Sequence, residues 1–255
     1  VVKTTARPTP RSRATTGLFL AGTDTNVGKT VATAALGIAL RRTGVNVGVM
    51  KPVETGTPQN GMVSVSDAYR LRELLTPHAN MALLNPYRFP APVAPAEAAR
   101  LSHTRIELTA ILEAYQTLAG HHESMLVEGV GGVLVPLTHT EDVCRLIKLL
   151  ELPCLVVSRT SLGAINHTRL TLMGLRQADI PIAGVLLNHT SADASRDAQL
   201  QTESTVAWIR RLSGVPVFGP LPFQADMARH WEASINVLAG DVTMRDVVTM
   251  VRESG

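Results

Sequence analysis

Cysteine is scarce: the 255-residue chain has two, Cys144 and Cys154. Two thiols cannot build a disulfide scaffold, and they lack metal-site spacing, so a reducing compartment, the cytoplasm, is expected. Aromatic residues make up 4%, too few for a protein that grips single-stranded nucleic acid by stacking. No run of 18 or more apolar residues occurs, so no membrane-spanning helix is expected. Charged residues amount to 18%, against about 25% in an average domain. With 45% hydrophobic residues, that composition describes a folded, apolar-rich protein and excludes a disordered one.

Acidic residues are missing from positions 1–16, which carry Lys3, Arg7, Arg11 and Arg13. The formal charge is +4 there and +3 overall, which leaves −1 for the rest. A basic tail on a near-neutral body is a weak nucleic-acid signal, and neither nucleic acid nor membrane is expected as a partner. The tail has no apolar stretch of secretory type. Its arginine and threonine content is like that of a transit peptide, but residues 1–16 are read as a flexible extension. Residues 17–255 are read as one domain.

From Leu18 onward, apolar runs alternate with helical patterns. Strands are expected at Leu18–Ala21, Val45–Met50, Ser124–Glu128, Cys154–Ser158, Ile182–Leu187 and Val215–Phe218. Most are continuous runs, as in strands covered on both faces. Helices are expected over 30–42, 66–75, 105–119, 142–150, 164–178 and 197–212, with a last apolar stripe at Met244, Val247, Val248 and Val251. This rhythm predicts an α/β fold with a mostly parallel central sheet flanked by helices and ligands at the carboxyl ends of the strands; the loop after the first strand makes it of the P-loop NTPase type. The stretch from Thr76 to Pro95 holds five prolines and is read as a long functional loop.

The first strand runs into Gly22-Thr23-Asp24-Thr25-Asn26-Val27-Gly28-Lys29-Thr30, which opens the first helix. This is the context of a phosphate-binding loop. Backbone N–H groups face the anion, Gly28 permits close approach, Lys29 adds a point charge and the Thr30 hydroxyl can ligate Mg²⁺. The first glycine lies one residue further from Gly28 than in the usual motif. Glu128, at the tip of a buried strand before Gly129-Val130-Gly131-Gly132, and Asp67, at a helix start, are the candidate Mg²⁺ carboxylates. Asp67 alone could equally be a first-turn acid. Lys51 follows the second strand in Lys51-Pro52-Val53-Glu54-Thr55-Gly56. Read as a neighbour of the first strand, it is a second cation for a phosphoryl group. The eight histidines show no metal-ligand pattern.

These residues together resemble the dethiobiotin synthetase family. The matching stretches are GTDTNVGKT (22–30), KPVETG (51–56), SDA (66–68), PAEAA (95–99), EGVGG (128–132), LGAINHT (162–168) and Asn188. The GTDT-x-VGKT form accounts for the displaced glycine. The resemblance implies an ATP- and Mg²⁺-dependent ligase that carboxylates 7,8-diaminopelargonic acid with CO₂ and closes the ring to dethiobiotin, as a homodimer. It implies Lys29, Lys51 and Thr25 at the γ-phosphate, and Thr30, Asp67 and Glu128 on Mg²⁺. The loop from Thr23 to Thr30 would cradle the nucleotide, with Asn188 and Pro222 on the adenine side. Thr55, Gly131 and the partner subunit's copy of Asn166 would meet the substrate. Whether the base is ATP's or CTP's stays open. Two other P-loop classes fit the sequence less well. A corrinoid amidotransferase needs a further glutaminase domain. A partitioning ATPase needs an extra lysine early in the loop, and none lies between Gly22 and Lys29.

Overall fold

The computed structural model describes residues 16–58, 66–192 and 195–253. The basic stretch therefore lies outside the described residues except for Thr16, which opens the first strand. In chain order the elements are β1 (Thr16–Gly22), α1 (Lys29–Arg42), β2 (Val47–Met50), β3 (Val53–Thr55), α2 (Asp67–Leu75), α3 (Met81–Leu84), β4 (Tyr87–Phe89), α4 (Pro95–Leu101) and α5 (Leu108–Ala119). Then come β5 (Ser124–Gly132), α6 (Val143–Leu150), β6 (Cys154–Arg159), α7 (Ala164–Gln177), β7 (Ile182–Asn188), α8 (Arg196–Ser213), β8 (Val217–Leu221), α9 (Trp231–Ala239) and α10 (Val242–Glu253).

Six strands form one sheet in the order β2-β5-β1-β6-β7-β8, and every pairing in it is parallel. The expected α/β architecture is present. Its cause is visible in the apolar runs. Phe19, Met125, Val127 and Val156 enter one core, while Leu18, Leu20, Leu126, Leu155 and Val157 enter the core on the other face. A strand covered on both sides must be apolar at every position, so alternation disappears. Helix α1 carries Ala32, Ala34, Ala35, Leu36, Ala39 and Leu40 into the second core. Both cysteines are buried free thiols. Among the described residues no helix is long and apolar enough to cross a membrane.

Two expectations need correction. First, β1 and β2 are not neighbours, because β5 lies between them. Second, Thr76–Pro95 is not one loop. It holds α3, strand β4 paired in parallel with β3, and Pro95 as the first residue of α4. Pro77 and Pro86 flank α3 rather than enter it, and proline suits the first turn of α4. The segment nevertheless serves the strand ends. Leu84 O accepts from Lys51 N at 2.8 Å, and Asn85 Nδ2 donates to Lys51 O at 2.6 Å.

Candidate active site

The amino end of α1 is built to receive an anion. Its N-cap is Gly28 at φ 93°, and no side chain caps the helix. The first N–H groups of α1 are thus left for a ligand. Glycine is required here for space as well as for φ: a Cβ would stand 2.1 Å from Asn188 Nδ2. By contrast α2 is heavily capped. The Ser66 hydroxyl accepts from Tyr69 N, and the buried Glu54 carboxylate accepts from Ser66 Oγ, Asp67 N and Ala68 N at 2.9, 2.7 and 3.2 Å. Ser66, not Asp67, is the cap, so the carboxylate of Asp67 is left to face the cleft.

Lys29 is buried, and its ammonium donates to the carbonyls of Asp24 and Gly131 at 2.9 and 3.0 Å. Burial, followed by the nearby Lys51 charge, lowers its pKa to about 8. Lys51 is also buried. It forms a close ion pair with Glu128 and a second with Asp67 at 3.3 Å. Burial works against the Lys51 charge, but the two carboxylates outweigh it and hold the ammonium above the usual lysine range. Glu128 is fully buried, and burial pushes its carboxyl upward against the pull of Lys51. Its Oε1 accepts from Thr30 Oγ1 at 2.8 Å, while Oε2 is buried with no partner. The corrected strand order explains this layout. The central strand β5 places Glu128 between β2, which Lys51 directly follows, and β1, whose following loop leads to Lys29 at the start of α1.

Thr30, Asp67 and Glu128 offer hard oxygen ligands on the lining of one cleft, with Glu128 accepting from Thr30, both carboxylates paired with Lys51, and the second Glu128 oxygen buried without a partner. Magnesium is typically held by one or two carboxylates together with phosphate oxygens, not by a protein-only cage. These residues fit it. Among the described residues no group of three or more His, Cys, Asp and Glu side chains gathers as a protein-only metal cage, in this cleft or outside it.

A cleft of about 410 Å³ brings together Thr25, Asn26, Gly28, Lys29, Thr30, Lys51, Thr55, Asp67, Glu128 and Gly131. Thr23 and Asp24 line an adjoining cleft with Gly132 and His167. Val27 is buried beneath the loop. Three further expected residues also lie outside the main cleft. Asn188 is buried and donates from Nδ2 to Val27 O at 3.0 Å, so it braces the loop from β7. Pro222 is exposed just past β8, and Asn166 is exposed on α7. A larger groove of about 730 Å³ runs between α4, α5 and α6. Its Arg100, Arg105 and Arg145 are each paired with a glutamate, and it touches none of the loop residues.

Sequence reasoning assigned no role to Glu54, Arg70, Met227 or Trp231, all of which line the main cleft. Glu54 stood inside the KPVETG stretch, and its three acceptor bonds exist only once α2 is in place. Arg70 follows Asp67 by three residues, which puts both on one helical face.

Comparisons with known proteins bear on the family and the fold. The sequence model of a family described as an AAA domain matches residues 16–230. The ATP-dependent dethiobiotin synthetase BioD of Anaeromyxobacter dehalogenans strain 2CP-C is 41% identical over 226 residues, covering 89% of this chain and 98% of the relative. Its namesake in Nitrosopumilus maritimus is 37% identical, covering 86% of this chain and 92% of the relative. That of Bacillus subtilis strain 168 is 35% identical, covering 84% and 90%. In fold, the chain is similar to a ParA family ATPase from Chlorobium tepidum (TM-score 0.54, 14% identity, 94% of this chain and 99% of that one). It is also similar to the MinD cell division protein of Aquifex aeolicus (TM-score 0.56, 14% identity, 94% and 96%).

Proposed function

The chain belongs to the family of ATP-dependent dethiobiotin synthetases, and from that membership we propose how its cleft carries out the reaction. One amine of 7,8-diaminopelargonic acid takes up CO₂ and loses a proton, giving a carbamate. A carbamate oxygen attacks the γ-phosphorus of ATP, the bond to the bridging oxygen breaks and ADP departs. The second amine then attacks the carbonyl carbon of the mixed anhydride. The carbon–oxygen bond to phosphate breaks, and the ring of dethiobiotin closes.

The observation that carries this reading is the convergence of two buried ammonium groups on the mouth of an uncapped helix. Among the described residues no cysteine or serine lines that cleft, which suits a reaction whose nucleophiles belong to the substrate. Lys29 and Lys51 stabilise the negative charge that gathers between carbamate and γ-phosphate. Thr25 lies at the γ-phosphate, Thr55 donates its hydroxyl to the carbamate, and Gly131 at φ 61° shapes the wall beside them. Catalysis rests on positioning and preset charge. Thr30, Asp67 and Glu128 would hold Mg²⁺, which when bound neutralises charge on the phosphate oxygens. Asn188 and Pro222 form the adenine side.

We further read the molecule as a cytoplasmic homodimer with Asn166 reaching the substrate of the partner subunit. Asn166, Leu170 and Met173 fall on one face of α7 at i, i+4 and i+7. Leu170 and Met173 are 56% and 59% exposed, and Leu134, which lies against the same helix at Gly174, is 66% exposed. An apolar patch of this kind beside a site marks an interaction surface. Light scattering should give about twice the 27.3 kDa chain mass. A fully active monomer would remove Asn166 from the site.

The reaction is tested by incubating the protein with ATP, Mg²⁺, bicarbonate and the diamine. Dethiobiotin should appear by mass, one molecule per ADP. ADP formation without dethiobiotin would reduce the protein to a nucleotide hydrolase.

A further inference from the structure

Six charged side chains line the main cleft: Lys29, Lys51 and Arg70 against Glu54, Asp67 and Glu128. Lys51 is occupied by Glu128 and Asp67, and the Lys29 ammonium by two carbonyls. Among these three cations only Arg70 has a side chain with no hydrogen bond or ion pair within the described residues; its backbone N–H donates to Ser66 O. Without Arg70 the lining carries one more negative than positive charge. A nucleoside triphosphate keeps net negative charge even with one divalent cation aboard, so that balance would oppose binding.

Arg70 does not float free. Its guanidinium carbon lies 5.0 Å from the centre of the Trp231 ring. The contact joins α2, which carries Asp67, to the first residue of α9. Stacking uses the face of the guanidinium and leaves its edge donors available, and that edge fits phosphate oxygens. Met227 completes the wall next to Thr30 and Val31. We propose that Arg70, stacked on Trp231, is a third phosphate-binding cation of the nucleotide cleft, holding the triphosphate from the α2–α9 side.

This rests on the nucleotide reading of the cleft, so the test separates the two. The chain has two tryptophans. Trp208→Phe therefore leaves Trp231 as the sole tryptophan, excited at a wavelength where tyrosine does not absorb. In that background, binding of MgATP, MgADP and adenosine is measured by calorimetry and Trp231 emission, with no diamine present. MgATP should shift the Trp231 emission. Arg70→Gln should weaken MgATP binding about tenfold, as expected for loss of one charge-assisted contact. Arg70→Lys, which keeps charge but not the planar fork, should lose about threefold. Adenosine affinity should stay within about twofold in both. Equal MgATP affinity in Arg70→Gln, Arg70→Lys and the parent overturns the proposal while leaving the nucleotide site standing. An equal loss for adenosine overturns it too, because the contact would then not be to phosphate. A parent that binds no MgATP overturns both readings.

Discussion

Replacing Lys51 by alanine should lower kcat by about 10²–10³-fold while changing MgATP affinity less than about threefold, the size expected for one preorganised donor aimed at developing charge. Lys51 enters from β2, is fully enclosed, and has its backbone fixed by Leu84 and Asn85. The phosphate loop, with Lys29 and the open N-terminus of α1, remains intact without it, so ground-state binding should survive. Steady-state kinetics beside equilibrium MgATP titration separates the two. A loss of affinity with kcat unchanged would make Lys51 a uniform binding residue, and equal losses in both would count against a role confined to the transition state. The substitution also leaves Glu128 and Asp67 without their shared ammonium. A buried carboxylate stripped of its partner costs about 3–5 kcal/mol, so the metal-free variant should melt well below the parent. Added Mg²⁺ should restore more stability to the variant than to the parent, since ligand binding stabilises through its affinity for the folded state. Lys51→Arg should not rescue turnover. A planar fork cannot replace a compact ammonium lodged between two carboxylates.

Much of this site could be read from the chain because its parts are local. The loop Gly22–Thr30 is continuous, and Glu128 announces itself as a charge at the end of SMLVE, where burial demands a partner. The sheet was legible for the same reason: strands sandwiched between two cores lose all alternation. The order of those strands was not. Placing β5 between β1 and β2 depends on pairings such as Leu20 with Glu128 and Val49 with Leu126. No short-range pattern encodes these. Strands β3 and β4 have three residues each, too few to show a period. Helix α3 has four and is hidden between two prolines. Helix α9 was missed, and with it Trp231, whose function depends on meeting Arg70 from a distant helix. Asn188 shows the opposite failure. The family pattern placed it on the adenine, and the fold also uses its amide to hold the Val27 carbonyl.

Glu128→Gln should raise the Mg²⁺ concentration for half-maximal activity about tenfold or more and lower kcat about 10²-fold, the order expected when a group stabilising transition-state charge is lost. The amide is nearly isosteric and can still accept from Thr30 through its oxygen, so α1 should keep its place. What it cannot supply is charge. Glu128 contributes an anionic oxygen with no protein partner and balances Lys51 through the other. Divalent-ion affinity read independently of turnover, by Mn²⁺ electron spin resonance with ATP present, should fall in parallel. Asp67→Asn should show a smaller loss, because that carboxylate is 42% exposed and water can replace part of its role. The two results together locate the metal. If Glu128→Gln left the Mg²⁺ titration unchanged while Asp67→Asn shifted it, the buried carboxylate would serve only as the counter-ion of Lys51, and the metal would sit toward α2. If both shift, with Glu128 the larger, the ion lies between β5 and the α1 terminus.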